Sequence, residues 1–177
     1  MTMAIDPVMA EELATTYGAA LYGFCRKLAF TRQDADDLYQ QTFLRLLAMP
    51  ARVDLNDNPR GFLMAIAARI WADERRKYAR RERIAPIHPG WDVETVAGAD
   101  TGGGQLTQQE LQADVQAVVN QLADGLRVPV LLYYMGDLSI AEIASELHIP
   151  AGTVKRRLYQ ARQLLRQEME ANGYGEA

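Results

Sequence analysis

Cysteine occurs once and histidine twice in 177 residues. A lone thiol, Cys25, excludes an internal disulfide. With only His88 and His148 beside it, no cluster of cysteine and histidine ligands can be assembled for a metal. Long hydrophobic runs are also missing. None approaches the roughly 18 apolar residues of a membrane-crossing helix, and the N-terminus lacks a signal-peptide pattern. The chain therefore reads as cytoplasmic. No nucleophile, base and orienter recur at usable spacing, so it reads as a non-enzyme without a cofactor or metal. Cys25 falls in an apolar helical stripe and is expected to be a buried structural thiol. Strand-type alternation is absent throughout.

What the chain does have is segregated charge. The formal net charge is −4, yet Arg69–Arg83 holds Arg69, Arg75, Arg76, Lys77, Arg80, Arg81 and Arg83 against Asp73, Glu74 and Glu82. Ile84 to Asp114 contains no lysine or arginine. Pro150 to Arg166 contains no acid but carries Lys155, Arg156, Arg157, Arg162 and Arg166. Distribution is more informative here than the sum.

The second basic stretch belongs to a helix-turn-helix. Ser139 with Glu142 three residues on is a capping box ahead of Ile140, Ile143, Ala144 and Leu147 at helical spacing. His148-Ile149-Pro150 ends that helix and launches the next, whose buried stripe is Val154, Leu158, Ala161 and Leu165. A tight turn with small Ala144 at the crossing suits two short helices. A basic outward face then points to the DNA major groove.

Further helices precede it. Asp6-Pro7 opens one that runs to about Leu28, with Leu13, Tyr17, Leu21 and Phe24 on its stripe. Thr31 with Asp34 opens a second, burying Leu38, Tyr39, Thr42, Phe43, Leu46 and Leu47 and leaving Asp36, Asp37, Gln40, Gln41 and Leu44 outside. Asn58-Pro59 opens a third, with Phe62, Leu63, Ile66, Ile70 and Trp71 inward and a charged later half protruding. Proline, glycine and AGADTGGG make 86–107 a flexible acidic linker. Helices resume from Gln108, with Leu111, Val115, Val118, Val119 and Leu122 on one stripe, and from about Leu126, because Pro129 suits only a first turn. The expected fold is all-α, with helical domains at 1–85 and 108–177 joined by 86–107.

Three motifs carry a resemblance. DADDLYQQTFLRLL, NPRGFLMAIAARIWADERRK and LRVPVLLYYMGDLSIAEIASELHIPAGTVKRRLYQAR, in that order, resemble an extracytoplasmic-function sigma factor of the sigma-70 family, which keeps only regions 2 and 4. The resemblance implies an alternative sigma factor that binds core RNA polymerase and reads the −10 and −35 elements of promoter DNA, with an anti-sigma factor as a further partner. It implies that Asp37, Gln40, Gln41 and Leu44 face core polymerase. Arg52, Asn58, Arg60, Arg69, Arg76, Lys77 and Arg80 would bind the −10 element, where the loop Arg52–Asn58 accepts a flipped base. Thr153, Lys155, Arg156, Arg157, Tyr159 and Gln160 would bind the −35 element. The sequence departs from the family pattern at Gln41, where an acid is common, and at Ala68-Arg69 in place of Arg-Asn. It departs again at His148 in place of the turn glycine and at Arg156 in place of a small residue. A stand-alone helix-turn-helix regulator would leave the first basic helix and the polar face of 34–47 idle. A decoy for an anti-sigma factor would have no need of basic helices.

Overall fold

The structure, a computed structural model, describes residues 2–3, 5–49, 53–54, 57–84 and 108–174. Seven α-helices account for most of them: α1 Pro7–Leu28, α2 Arg32–Leu47, α3 Pro59–Ile84, α4 Gln108–Gln121, α5 Asp124–Tyr134, α6 Ile140–Leu147 and α7 Ala151–Met169. The expected linker, 86–107, lies outside the described residues.

Local chemistry sets the boundaries. Met9 N donates to Asp6 Oδ1 at 2.8 Å, Asp34 N to Thr31 Oγ1 at 3.1 Å and Gly61 N to Asn58 Oδ1 at 3.0 Å. Each bond satisfies an orphan amide of a first turn. Before α6 the capping box closes both ways: Glu142 N donates to Ser139 Oγ at 3.1 Å, and Ser139 N to Glu142 Oε2 at 2.7 Å. His148 takes the left-handed conformation, φ 54° and ψ 44°. Pro150 is the cap of α7, and its first helical residue is Ala151. Past α7, the wide turn Glu170–Tyr174 brings the Tyr174 hydroxyl to Asp114 Oδ2, 2.6 Å away.

α1, α2 and α3 pack into one group, and α4–α7 into another. Leu21, Phe24, Leu28, Leu46 and Leu63 are fully buried in the first, and Leu132, Ile143, Val154 and Leu158 in the second. Each such side chain is worth roughly 1.5–3 kcal/mol of burial. The groups are also in contact, because α3 packs on α5 and α6 and α1 touches α5. The result is one continuous core. Cys25 is fully buried, and desolvation pushes its thiol up to about 12.

Several expectations need correction. α3 does not present a single core face: every residue from Leu63 to Ala68 is buried, because α1 and α2 cover one side and α5 and α6 the other. α5 begins at Asp124, two residues before Leu126, so Pro129 lies in its sixth position and leaves the Gly125 carbonyl without a helical donor. Leu47 in α2, and Leu111 and Val115 in α4, are exposed. A two-residue antiparallel pair also exists, β1 (Thr2–Met3) with β2 (Val53–Asp54), in register Thr2–Asp54 and Met3–Val53. It is too short for any alternation pattern to announce it.

Candidate polymerase and nucleic-acid interfaces

Two of the three candidate surfaces, those on α2 and α7, rest on helices whose rotation is fixed by a buried stripe. On α2, Ala35, Leu38, Thr42 and Leu46 face inward, and the Thr42 hydroxyl donates to the Leu38 carbonyl at 2.7 Å. The opposite side therefore shows Asp37, Gln40, Gln41 and Leu44, all exposed. Leu44 is 65% exposed, a large apolar side chain set among polar ones. Such a mixture suits a protein partner better than water alone.

On α7, Val154, Leu158 and Ala161 are buried, which turns Lys155, Arg156, Tyr159 and Gln160 outward. Tyr159 is 61% exposed. Thr153 and Arg157 are half-buried, and Arg157 leans over Gly125 at the start of α5. Further along, Arg162 Nε donates to the Tyr134 hydroxyl at 3.1 Å and its guanidinium lies over Tyr133. The outward ridge is cationic, hydrogen-bonding and free of carboxylates through Arg166.

On α3 the arrangement is different. Arg60 Nη2 sits 2.7 Å from Asp137 Oδ2, Arg69 Nη1 is 3.6 Å from Glu146 Oε2, and Arg75 Nε is 2.8 Å from Asp124 Oδ2. All three acids belong to the α4–α7 group. Asn58 caps α3 with its carbonyl and donates its amide to the Gly136 carbonyl at 2.7 Å. Arg76 and Lys77 pair within the helix with Asp73 and Glu74, at 3.9 and 3.8 Å. Arg80 is exposed. Arg52 lies outside the described residues, as do two more of the loop Arg52–Asn58, Leu55 and Asn56.

Arg127 is the functional candidate that reading by motif missed. It is 3% exposed and lies between the two groups. Its Nη2 donates to the Leu28 carbonyl at the end of α1 (3.0 Å) and to Asp124 Oδ1, and its Nη1 to the Asn120 carbonyl at 3.3 Å. The guanidinium lies over the Phe30 ring at 5.2 Å. Burial lowers its pKa, the Asp124 charge opposes that, and Arg75 adds to it. A signal was available: Arg127 is the one charged residue in the run Leu126–Met135.

Comparison with known proteins settles the family. The description "Sigma-70 region 2" matches residues 13–81, and "Sigma-70, region 4" matches 112–165. The chain belongs to the sigma-70 family. Among curated relatives it is 26% identical to the ECF RNA polymerase sigma factor SigW of Bacillus subtilis, over 89% of this chain and 87% of that one. It is 30% identical to the probable RNA polymerase sigma-C factor of Mycobacterium bovis, over 77% and 70%. In fold it resembles the sigma factor RpoE of Bartonella quintana, solved with the anti-sigma factor NepR. The TM-score is 0.64 at 21% identity, covering 90% of this chain and 96% of that one. The protein is thus an alternative sigma factor of the extracytoplasmic-function class, a subunit that binds core RNA polymerase and directs promoter-specific initiation. Sigma factors are DNA-binding regulators. Among the described residues no helix is long and apolar enough to cross a membrane, and no group of histidine, cysteine or acidic residues could hold a metal.

Proposed function

We propose that the work is divided among three faces. Asp37, Gln40, Gln41 and Leu44 of α2 bind core polymerase. Asn58, Arg60, Arg69, Arg76, Lys77 and Arg80, with Arg52, hold the −10 element. Thr153, Lys155, Arg156, Arg157, Tyr159 and Gln160 read the −35 element. The corresponding domains are 1–85 and 108–177, with 86–107 as the linker. The factor acts in the cytoplasm, contributes no catalytic residue of its own, and is held in check by an anti-sigma factor. Support for that last partner comes from the similar RpoE, solved with NepR.

The observation that carries the division is the outward rotation of α2 and α7. Their buried stripes leave one polar patch centred on Leu44 and one basic ridge centred on Arg156. The test is run-off transcription with purified core polymerase and genomic fragments. The wild-type chain should yield discrete transcripts. Asp37→Ala with Gln40→Ala should reduce holoenzyme assembly by about tenfold, one to two lost contacts at roughly 1 kcal/mol each, with helicity unchanged. Undiminished co-purification of the double variant with core would remove α2 from the polymerase interface.

A further inference from the structure

A cleft of about 230 Å³ opens between α2 and the later half of α3. Its walls are aromatic. Phe30, Trp71 and Tyr78 line it, and the Arg75 guanidinium carbon lies 5.0, 5.9 and 5.9 Å from their ring centroids in turn. Arg75 is held there by Asp124 Oδ2 at 2.8 Å. Trp71 is 7% exposed, and its buried indole Nε1 has no hydrogen-bond partner. A buried donor left without an acceptor marks a wall whose polar complement is missing. The two lips of the cleft carry opposite charge. Asp34, Asp37 and Gln41 share one stripe of α2, at steps of three and four. On α3, Trp71, Tyr78 and Arg81 follow one another at steps of seven and three, with Lys77 beside them. Asp34, Asp37 and Arg81 are exposed and enter no ion pair among the described residues.

We propose that this cleft is a binding site for a free nucleotide, its base stacked among Phe30, Trp71 and Tyr78 and its phosphate on Arg81 and Lys77. Size argues first. Sites for drug-sized molecules measure roughly 300–1,000 Å³, so this one takes a single ring system with its polar groups at the rim. The walls argue next, because every base has a π-face that stacks on aromatic rings, and a guanidinium adds to the contact. Charge then excludes simpler ligands. A bare anion meets Asp34 and Asp37, and a bare cation meets Arg75, Lys77 and Arg81. An apolar molecule leaves both lips unmatched. Packed helices lie about 8–10 Å apart, so the ligand must carry its donor edge and its anion well separated. An amino acid has both charges on one carbon. A nucleotide has an exocyclic amino group at one end and a phosphate at the other. Aspartate accepts from a cytosine amino group and glutamine pairs with adenine, so Asp34, Asp37 and Gln41 favour bases with an amino edge over uracil. Asp37 and Gln41 also belong to the face assigned to core polymerase, so nucleotide and polymerase compete. That consequence, unlike the site itself, rests on the α2 assignment.

The experiment titrates the free full-length chain with AMP, adenosine and UMP by calorimetry. AMP should bind about tenfold tighter than adenosine, through the charge-assisted phosphate contact, and about tenfold tighter than UMP, through the amino edge. Arg81→Ala should erase the first ratio and leave the second. Asp34→Ala should lower the second to about threefold and leave the first. Both side chains are exposed, so helicity should hold in each variant. Tyr78→Ala should weaken all three ligands alike, by about tenfold, because it removes a stacking face. Absence of AMP binding by the wild-type chain overturns the proposal. So do ratios that neither Arg81→Ala nor Asp34→Ala moves, since the nucleotide then lies elsewhere. A single-stranded adenine oligonucleotide that loses affinity with Asp34→Ala, while AMP does not bind, overturns it in favour of an unpaired DNA base. Capture of the factor by core polymerase is read separately and should fall at saturating AMP. AMP binding with capture undiminished would strike the α2 polymerase assignment and leave the site standing.

Discussion

α3 and α7 are the two basic helices of this chain, and their surroundings are opposite. α3 is buried on every side from Leu63 to Ala68, and its cations from Arg60 to Lys77 stand beside carboxylates. α7 is buried along one stripe, and among the described residues its Lys155 and Arg156 have no ion pair. Only at Arg80 and Arg81 does α3 show exposed cations similarly unpaired among the described residues. Helices of similar composition thus differ in readiness for DNA through their neighbours, not through their own charge. The strengths are unequal too. Exposed pairs such as Arg60–Asp137 are worth roughly 0–1 kcal/mol, so phosphates can displace those acids at little cost. Removing one partner of a buried ionic contact such as Arg127–Asp124 costs about 3–5 kcal/mol, with the lower end apt here because Asp124 keeps Arg75.

The sharpest way to test that contrast is to truncate one apolar side chain on each helix. Leu63 is fully buried in α3, and Leu164 is 42% exposed on α7. Leu63→Ala should cost about 3 kcal/mol, within the usual range for a buried leucine. Leu164→Ala should stay within roughly 0.5 kcal/mol. Urea midpoints of the full chain measure both. Equal small losses would mean that α3 is not enclosed as described.

How much of this was legible beforehand follows the same divide. Caps, stripes and the helix-turn-helix are local, so Asp6, Thr31, Asn58 and Ser139 and the α7 stripe could be read from spacing alone. The contact between the groups is not local. Its visible traces were the lone charge of Arg127 in the run Leu126–Met135 and the run Gly61–Ala68, GFLMAIAA, which has no polar side chain and so suits a helix enclosed all round. Read as an amphipathic face, it gave half the answer. Leu111 and Val115 failed in the other direction: helical spacing promised burial, but they are left 38% and 37% exposed. Asn58, Arg60 and Arg69 were legible as DNA-facing candidates, whereas their engagement by Gly136, Asp137 and Glu146 depends on residues about 77 positions away.

A smaller effect tests the open side of the comparison. Arg156 and Gln160 are four apart on the exposed ridge of α7, so both can reach one stretch of major groove. Arginine to guanine and glutamine to adenine are each worth roughly 1–3 kcal/mol of discrimination. Arg156→Ala or Gln160→Ala should therefore change which −35 sequences the holoenzyme selects from a randomised library. Lys155→Ala should weaken all of them alike and lower the salt slope by about one. Unaltered base preferences in the first two variants would mean that α7 docks with another face.

The smallest expected effect lies in the turn that aims α7. His148 is exposed, and its backbone amide donates to the Ala144 carbonyl. Its cost is conformational, since φ 54° puts its Cβ near the following carbonyl. Glycine would relieve strain of about 1 kcal/mol but would restore a similar freedom to the unfolded chain, about 0.4–1 kcal/mol. The two terms nearly cancel, so His148→Gly should move the thermal midpoint by no more than a degree or two, roughly 0.5 kcal/mol. A β-branched side chain has no such compensation in the left-handed region. His148→Val should lower stability by about 1–2 kcal/mol and weaken −35 binding in step, because α6 and α7 would no longer meet at the same angle. A valine variant as stable as wild type would mean that the turn accepts another conformation. The orientation of the α7 ridge would then have to come from the Val154, Leu158 and Ala161 stripe alone.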